Sequence, residues 1–253
     1  SARETAARVA GGALCKALLR ALGIQIVSHE VRIGTVKAPA RTPVPADQEA
    51  IDRSPVRCAD ADASVRMVAE IDRLRTARDS VGGIFEVIAW GVPPGLGSYV
   101  HWDRKLDGRL AAALMSIQSV KGVEIGDGFA SAQRPGSKAH DEIVTGRDGR
   151  LSRRTSRAGG IEGGMSTGQA IRVRAAMKPF STVPRPLATV DLRTGEAAVA
   201  IKQRTDACAV PAGGVVGEAV VAHVLADALL EKFGGDSLTE IERSMEHYLE
   251  ALP

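Results

Sequence analysis

Arg204 and Asp206 stand two residues apart in the stretch Arg204-Thr205-Asp206-Ala207-Cys208-Ala209-Val210-Pro211. In an extended chain, residues two apart project to the same face. One short segment can thus offer a cation to an anionic ligand and a carboxylate for moving a proton. A base must come within hydrogen-bond reach of the proton it takes. Most Arg-x-Asp pairs are merely solvated surface, so this pair gains meaning only from what other segments bring to it.

Three further stretches invite a chemical reading. Ser1-Ala2-Arg3-Glu4-Thr5-Ala6 opens a helix. Free N–H groups and the positive dipole end at such a start bind phosphate, and Arg3 would add a charge-assisted bond. The plain alternative is an ordinary helix start. Residues 118–129, from Gln118-Ser119 to Phe129, carry glycines at 122, 126 and 128. These allow close backbone approach to a ligand, or simply tight turns. The glycine-rich residues 159–168 are followed by a strand and then Lys178-Pro179-Phe180-Ser181-Thr182. N–H groups, a cation and hydroxyls in that order could cradle a phosphorylated cofactor. Gly-Lys-Ser/Thr is absent, so this is no Walker loop. The strand-glycine-helix order of a dinucleotide fingerprint is missing too. A flexible loop and a surface turn are the plain alternative.

The elements that would carry these residues read as a mixture. Residues 1–22 form a helical stripe that Gly23 stops, and 27–33 alternate as a strand with His29 on its apolar face. The prolines between 39 and 55 mark a surface loop. Residues 64–78 read as a polar helix, 84–92 as a buried strand and 109–117 as a short helix. Residues 123–129 form a glycine-rich turn or strand, and 134–160 are polar and loop-like. Residues 171–177 form a strand, 187–192 and 198–202 a hairpin, and 217–233 an apolar helix. Ser237-Leu238-Thr239-Glu240 is a capping box for a last helix. Strands and helices do not alternate regularly, so the fold class is α+β, in a single domain over residues 1–253.

Composition narrows the function. The 253 residues are 44% hydrophobic and 25% charged, as in an ordinary globular chain. Aromatics at 3% are too few for a base-stacking platform on single-stranded nucleic acid. The net charge of +3 suits small anions without demanding them. Cys15, Cys58 and Cys208 are widely spaced and read as reduced thiols, with neither a disulfide framework nor a metal pattern. No apolar run reads as a membrane span, and the expected location is the cytoplasm. His101 and His140 read as surface, and His29, His223 and His247 as structural. Arg147, Arg150, Arg153, Arg154 and Arg157 form a basic run that could touch nucleic acid, though a solvated loop fits its glycine-rich setting better.

Taken together and in order, these segments resemble the chorismate synthase family, in an actinobacterial form, along essentially the whole chain. The motifs are the Ser-Ala-Arg-Glu-Thr-Ala start, Pro-Gly-Leu-Gly-Ser at 94–98, Lys-Gly-Val-Glu-Ile-Gly-Asp-Gly-Phe at 121–129 and Ala-His-Asp-Glu at 139–142. Residues 159–168, Met177-Lys178-Pro179, residues 204–211 and Leu-Leu-Glu-Lys-Phe-Gly-Gly-Asp-Ser at 229–237 complete the set. The resemblance implies a β-α-β sandwich and a flavin-dependent lyase of the shikimate pathway. Such an enzyme converts 5-enolpyruvylshikimate 3-phosphate to chorismate and phosphate by anti 1,4-elimination. It needs reduced FMN without net redox change, with NADPH a candidate reductant of the flavin.

By the same resemblance, Ser1, Gln118, Ser119, Gly163, Lys178, Pro179, Phe180, Ser181, Thr182 and Arg204 contact FMN. Arg3 faces the substrate's phosphate or carboxylate. Asp206 assists deprotonation through flavin N5, and nearby cations would keep it ionised. A homotetramer is implied, with neither a metal, nor a nucleic acid, nor a membrane as partner. The family's two histidine motifs, Gly-Asp/Glu-Ser-His-Gly and Arg-Pro-Gly-His-Ala-Asp, do not occur in these 253 residues. The chain starts on Ser1 inside a helix, so it reads as the family's C-terminal portion. The expectation is that it is inactive and poorly folded alone, with unpaired sheet edges. The rival reading is a flavin-binding or assembly module without catalysis.

Overall fold

A computed structural model of the chain describes residues 2–146, 149, 151–201 and 206–252. In chain order the elements are α1 (Ala2–Ala21), β1 (Gln25–Ile33), β2 (Val36–Lys37), α2 (Gln48–Arg53), α3 (Ala61–Thr76) and β3 (Gly83–Trp90). Then come α4 (Leu106–Met115), β4 (Val120–Ile125), α5 (Gly136–Ala139), β5 (Ile143–Thr145), β6 (Leu151–Arg153), β7 (Ile161–Glu162) and β8 (Met165–Ser166). The chain closes with β9 (Ile171–Met177), β10 (Ala188–Val190), β11 (Ala197–Val199), α6 (Val210–Phe233) and α7 (Leu238–Glu250).

One five-stranded sheet, ordered β2-β1-β3-β9-β4, carries the molecule, and its neighbouring strands all run antiparallel. The remaining strands form two-stranded ribbons, β5-β6, β7-β8 and β10-β11. With no parallel crossover among the described strands, the class is α+β, as the sequence indicates. The proline-rich segment holds a short helix, α2, and the polar stretch after 134 holds α5 and the β5-β6 ribbon. Both were expected to be loop throughout. Strands of three residues, such as β5 and β6, are too short to show a hydrophobic period.

α6 is the central support, packing on β1 and β3, with α1 and α4 lying along it. Its close approach comes from Gly213, Gly214 and Gly217. A Cβ at Gly217 would come 2.5 Å from Phe85, and one at Gly214 would come 2.8 Å from Glu30 Oε1. Phe85, Leu106, Leu110, Leu114, Leu225 and Leu229 are fully buried around this helix. Each such side chain contributes about 1.5–3 kcal/mol relative to exposure. α6 also corrects one expectation. At 24 residues and mean hydropathy 1.6 it is long and apolar enough to cross a membrane, yet 72% of that window is buried inside the protein. The glycines at its start had masked its length in the sequence.

On β3, Phe85 and Val87 face α6, so Glu86 points to the other side of the sheet. There His29, Glu86, Arg174 and Glu124 are direct neighbours across β1, β3, β9 and β4. His29 Nε2 lies 3.3 Å from Glu86 Oε2, and Arg174 Nε donates to Glu86 Oε1 at 2.6 Å. Burial alone would raise the Glu86 carboxyl, but His29, Arg174 and Arg172 outweigh it and hold the carboxyl below its ordinary value. His29 is buried as expected, though on a charged row rather than an apolar face. Its Nδ1 has no partner among the described residues.

On the α6 side, Glu218 accepts from Ser28 N at 3.0 Å, Ser28 Oγ at 2.6 Å and Arg57 Nη2 at 2.9 Å, and it also pairs with Lys16. α7 begins on the expected capping box: Ser237 Oγ accepts from Glu240 N at 3.3 Å, and Glu240 Oε2 accepts from Ser237 N at 3.2 Å.

Candidate functional site

Three strand and helix ends meet beside the first turns of α6. α4 stops at Met115, and Ile117-Gln118-Ser119 turns into β4. Ser119 makes that turn with φ 70°, a left-handed conformation that costs a non-glycine residue energy and so marks a tightly determined position. The end of β9 runs alongside, and Lys178 N–H donates to Ser119 O at 2.8 Å. α6 starts across from both, after Cys208-Ala209. Val81 N–H donates to Ala207 O at 2.8 Å and anchors that lead-in to the sheet.

These ends enclose a cavity of about 160 Å³. Ile117, Met177, Phe180 and Val216 give it apolar walls, and Thr5 of α1 and the Gln118 amide give it a polar rim. Gly213 lines it as well, and a Cβ there would overlap Met177 Sδ. The result is a largely apolar slot whose lining also includes the hydrogen-bonding residues Thr5, Gln118 and Ser119. The Gln118 amide donates to Glu4 Oε2 at 2.8 Å. That bond, with the Arg8 ion pair, holds the Glu4 carboxyl below its ordinary value.

The structure therefore brings Gln118, Ser119 and Phe180 together from two distant stretches of sequence. It places other expected residues elsewhere. Lys178 and Pro179 are exposed, with Lys178 tied in through its backbone N–H. Ser181 and Thr182 line a separate cavity of about 350 Å³ under the β10-β11 ribbon, with Leu187 and Ile201. Asp206 is exposed and lines a third, of about 370 Å³, with Arg75, Asp79 and Cys208. It lies outside any strand ladder, since among the described residues of this lead-in only Cys208 forms a bridge, to Val81. Burial there pushes the Cys208 thiol up to about 11, so it is an inert thiol rather than a nucleophile. Arg3 is exposed on the first turn of α1. Ser1 and Arg204 lie outside the described residues, as do Arg147 and Arg150 of the basic run.

The glycines divide in the same way. Gly126 and Gly159 pack on each other's backbone, so their close approach is to protein rather than to a ligand. Within the glycine-rich residues 159–168, Gly163, at the β7-β8 turn, has nothing within 4 Å of a Cβ placed there. In the basic run, Arg153 pairs with Glu162 at 2.9 Å and Arg154 with Glu142 at 2.7 Å. His101 and His140 are exposed as expected. His223, expected to be structural, is exposed on α6 but lies against α1, with Nδ1 3.3 Å from Cys15 Sγ. No group of three or more His, Cys, Asp or Glu among the described residues could hold a metal.

A family model described as chorismate synthase matches residues 1–230. The chorismate synthase of Acidothermus cellulolyticus is 64% identical over 254 residues, covering 100% of this chain and 64% of the relative. That of Frankia casuarinae is 62% identical over 255 residues, covering 100% of this chain and 65% of the relative. A solved structure titled "Crystal Structure of Chorismate Synthase" superposes with a TM-score of 0.84 at 42% identity, over 99% of this chain and 70% of that one. The chain belongs to the chorismate synthase family. It spans a little under two thirds of the length of these curated chorismate synthases.

Gly213 and Val216, and Met177 of the Met177-Lys178-Pro179 motif, belong to the cavity but were not among the expected site residues. Met177 reads as the end of a buried strand. The Gly213-Gly214 pair, inside what proves to be a helix, was the available signal of a close approach.

Proposed function

We propose that this chain is the flavin-binding portion of a chorismate synthase that eliminates phosphate from 5-enolpyruvylshikimate 3-phosphate to give chorismate. The cavity that gathers Gln118, Ser119 and Phe180 against Met177 and Gly213 is the observation that carries the reading. Its apolar walls suit an isoalloxazine ring, and its polar rim suits the ring's pyrimidine edge. By the family resemblance, Lys178, Pro179, Ser181, Thr182, Gly163, Ser1 and Arg204 would add contacts to FMN from outside this cavity. Reduced flavin, when bound, supplies an electron that is returned within the same turnover. The elimination breaks one C–O bond to phosphate and one C–H bond, with no net oxidation. In this division of labour the protein binds, orients and moves the proton. Arg3 would meet an anionic group of the substrate through a charge-assisted bond. Asp206 would take part in removing the proton.

Flavin binding is tested by titrating FMN into the chain and following the quenching of flavin fluorescence. Binding that Phe180→Ala weakens supports the reading, and no binding at all refutes it. Catalysis is tested by anaerobic phosphate release with reduced FMN. The chain alone is expected to bind flavin without turnover. Adding the portion of the Acidothermus relative that it does not span is expected to restore activity, and Asp206→Asn to remove most of it.

A further inference from the structure

Gln118 is a hydrogen-bonding side chain on the rim of the cavity, and the structure fixes its orientation. A carboxylate only accepts hydrogen bonds, so the atom of Gln118 facing Glu4 must be the amide nitrogen, at 2.8 Å. That bond sets the rotation of the amide and hence the side on which Oε1 stands. Glu4 is itself held in place. It pairs with Arg8, Arg8 Nη1 donates to Ser116 Oγ at 2.7 Å, and Ser116 Oγ donates to Ala113 O at 2.6 Å. A continuous set of bonds thus runs from the first turns of α1 to the end of α4, with the Gln118 amide at one end. The backbone beside it is fixed as well, by the left-handed turn at Ser119 and the Lys178 N–H bond.

We propose that Glu4 is a positioning residue: it orients the Gln118 amide so that Oε1 reads a hydrogen-bond donor on the ring of the bound ligand. The inference rests on the flavin reading above and deepens it. Oxidised isoalloxazine carries one ring N–H, at N3, between two carbonyls that an acceptor would repel. An acceptor held at this point therefore selects a ligand that presents N3–H, and it fixes which way round the ring lies.

The experiment compares the dissociation constants of FMN and 3-methyl-FMN, which lacks that donor, for the chain and two variants. The chain is expected to prefer FMN by about five- to tenfold, the effect of leaving one acceptor unpaired. In Glu4→Lys the neighbour becomes a pure donor, the amide turns over, and the ratio is expected to fall to about one. Glu4→Ala frees the amide and should give an intermediate ratio. Both ligands carry the same phosphate, so added charge at residue 4 cancels in the ratio. A methyl group that merely collides with the wall would leave the ratio unchanged in both variants. FMN binding with an unchanged ratio overturns the positioning role while leaving the flavin site standing. Failure of the unmodified chain to bind FMN overturns the flavin site, and this inference with it. Glu4 is exposed on α1, and helix content by circular dichroism verifies that both variants keep the fold.

Discussion

Replacing Glu30 with glutamine should alter how stability depends on pH. Glu30 is fully buried under α6, and neither carboxyl oxygen has a hydrogen-bond partner among the described residues. Burial pushes its pKa well above the ordinary 4.5, and the nearby Arg57 charge offsets only part of that. The folded chain therefore keeps a proton that the unfolded chain releases near 4.5. Between the two pKa values folding must take up one proton, so stability falls as pH rises, by about 1.4 kcal/mol per pH unit. From pH 5 upward the wild-type chain should therefore lose stability steadily relative to Glu30→Gln, which has no proton to take up. The amide of the variant is also left without partners, at a cost of about 1–3 kcal/mol, but that offset is the same at every pH. Glu70, Glu86, Asp127 and Asp141 are all held below their ordinary values, so they finish titrating below this window. Urea unfolding of both proteins at pH 5, 6 and 7, followed by circular dichroism, gives the difference directly. A difference that stays flat across the window would show that Glu30 is ionised in the fold, and the account of its burial would be wrong.

Three further outcomes follow from the same contacts. Gly213→Val puts a side chain where Met177 Sδ lies, so it should weaken FMN binding more than tenfold and cost about 1–3 kcal/mol by overpacking, both measurable in one set of titrations and melts. Glu218→Ala takes one carboxylate from the half-buried Arg57, which keeps Asp52, and leaves the buried Ser28 N–H and hydroxyl unpaired, so it should destabilise by about 1–3 kcal/mol in urea; no measurable loss would mean water replaces the carboxylate. Glu70 is held at about 2 by Arg73 and by Thr35, so its stabilising effect is complete above about pH 4.5 and is lost as pH falls toward 2. A carboxyl NMR titration that places Glu70 near 4.5 would contradict those bonds.

What the sequence made legible was local. Gly23 ends α1 with φ 79°, the Ser237–Glu240 box starts α7, and β9 alternates buried and half-buried residues along its whole length. β1 was harder to read because its two faces are buried by different means, one under α6 and one beneath the His29–Glu86–Arg174 row. Alternation in such a strand no longer separates core from solvent. The start of α6 was set seven residues too late because glycines read as breakers, whereas here they let the helix sit against β1 and β3. For the site, the motifs identified Gln118, Ser119 and Phe180, and the fold gathers them. Asp206 lies outside any strand, and Arg204, with which it was to share a face, lies outside the described residues. Glu4 gave no signal, because its role depends on an amide 114 residues away.

The glycine row on α6 explains why core and site are hard to change separately. At Gly217 the missing side chain leaves room for Phe85, and at Gly214 for the Glu30 carboxyl; both spaces are filled by the sheet and serve cohesion. At Gly213 the same close approach places Met177 beside a slot that stays open toward Gln118 and Phe180. One helix face thus sets the depth of the core and the width of the cavity. A larger residue at 214 or 217 would push α6 off the strands and widen the slot, while one at 213 would close it. Filling such a cavity is an ordinary route to greater stability, and at this end of α6 it should cost ligand binding.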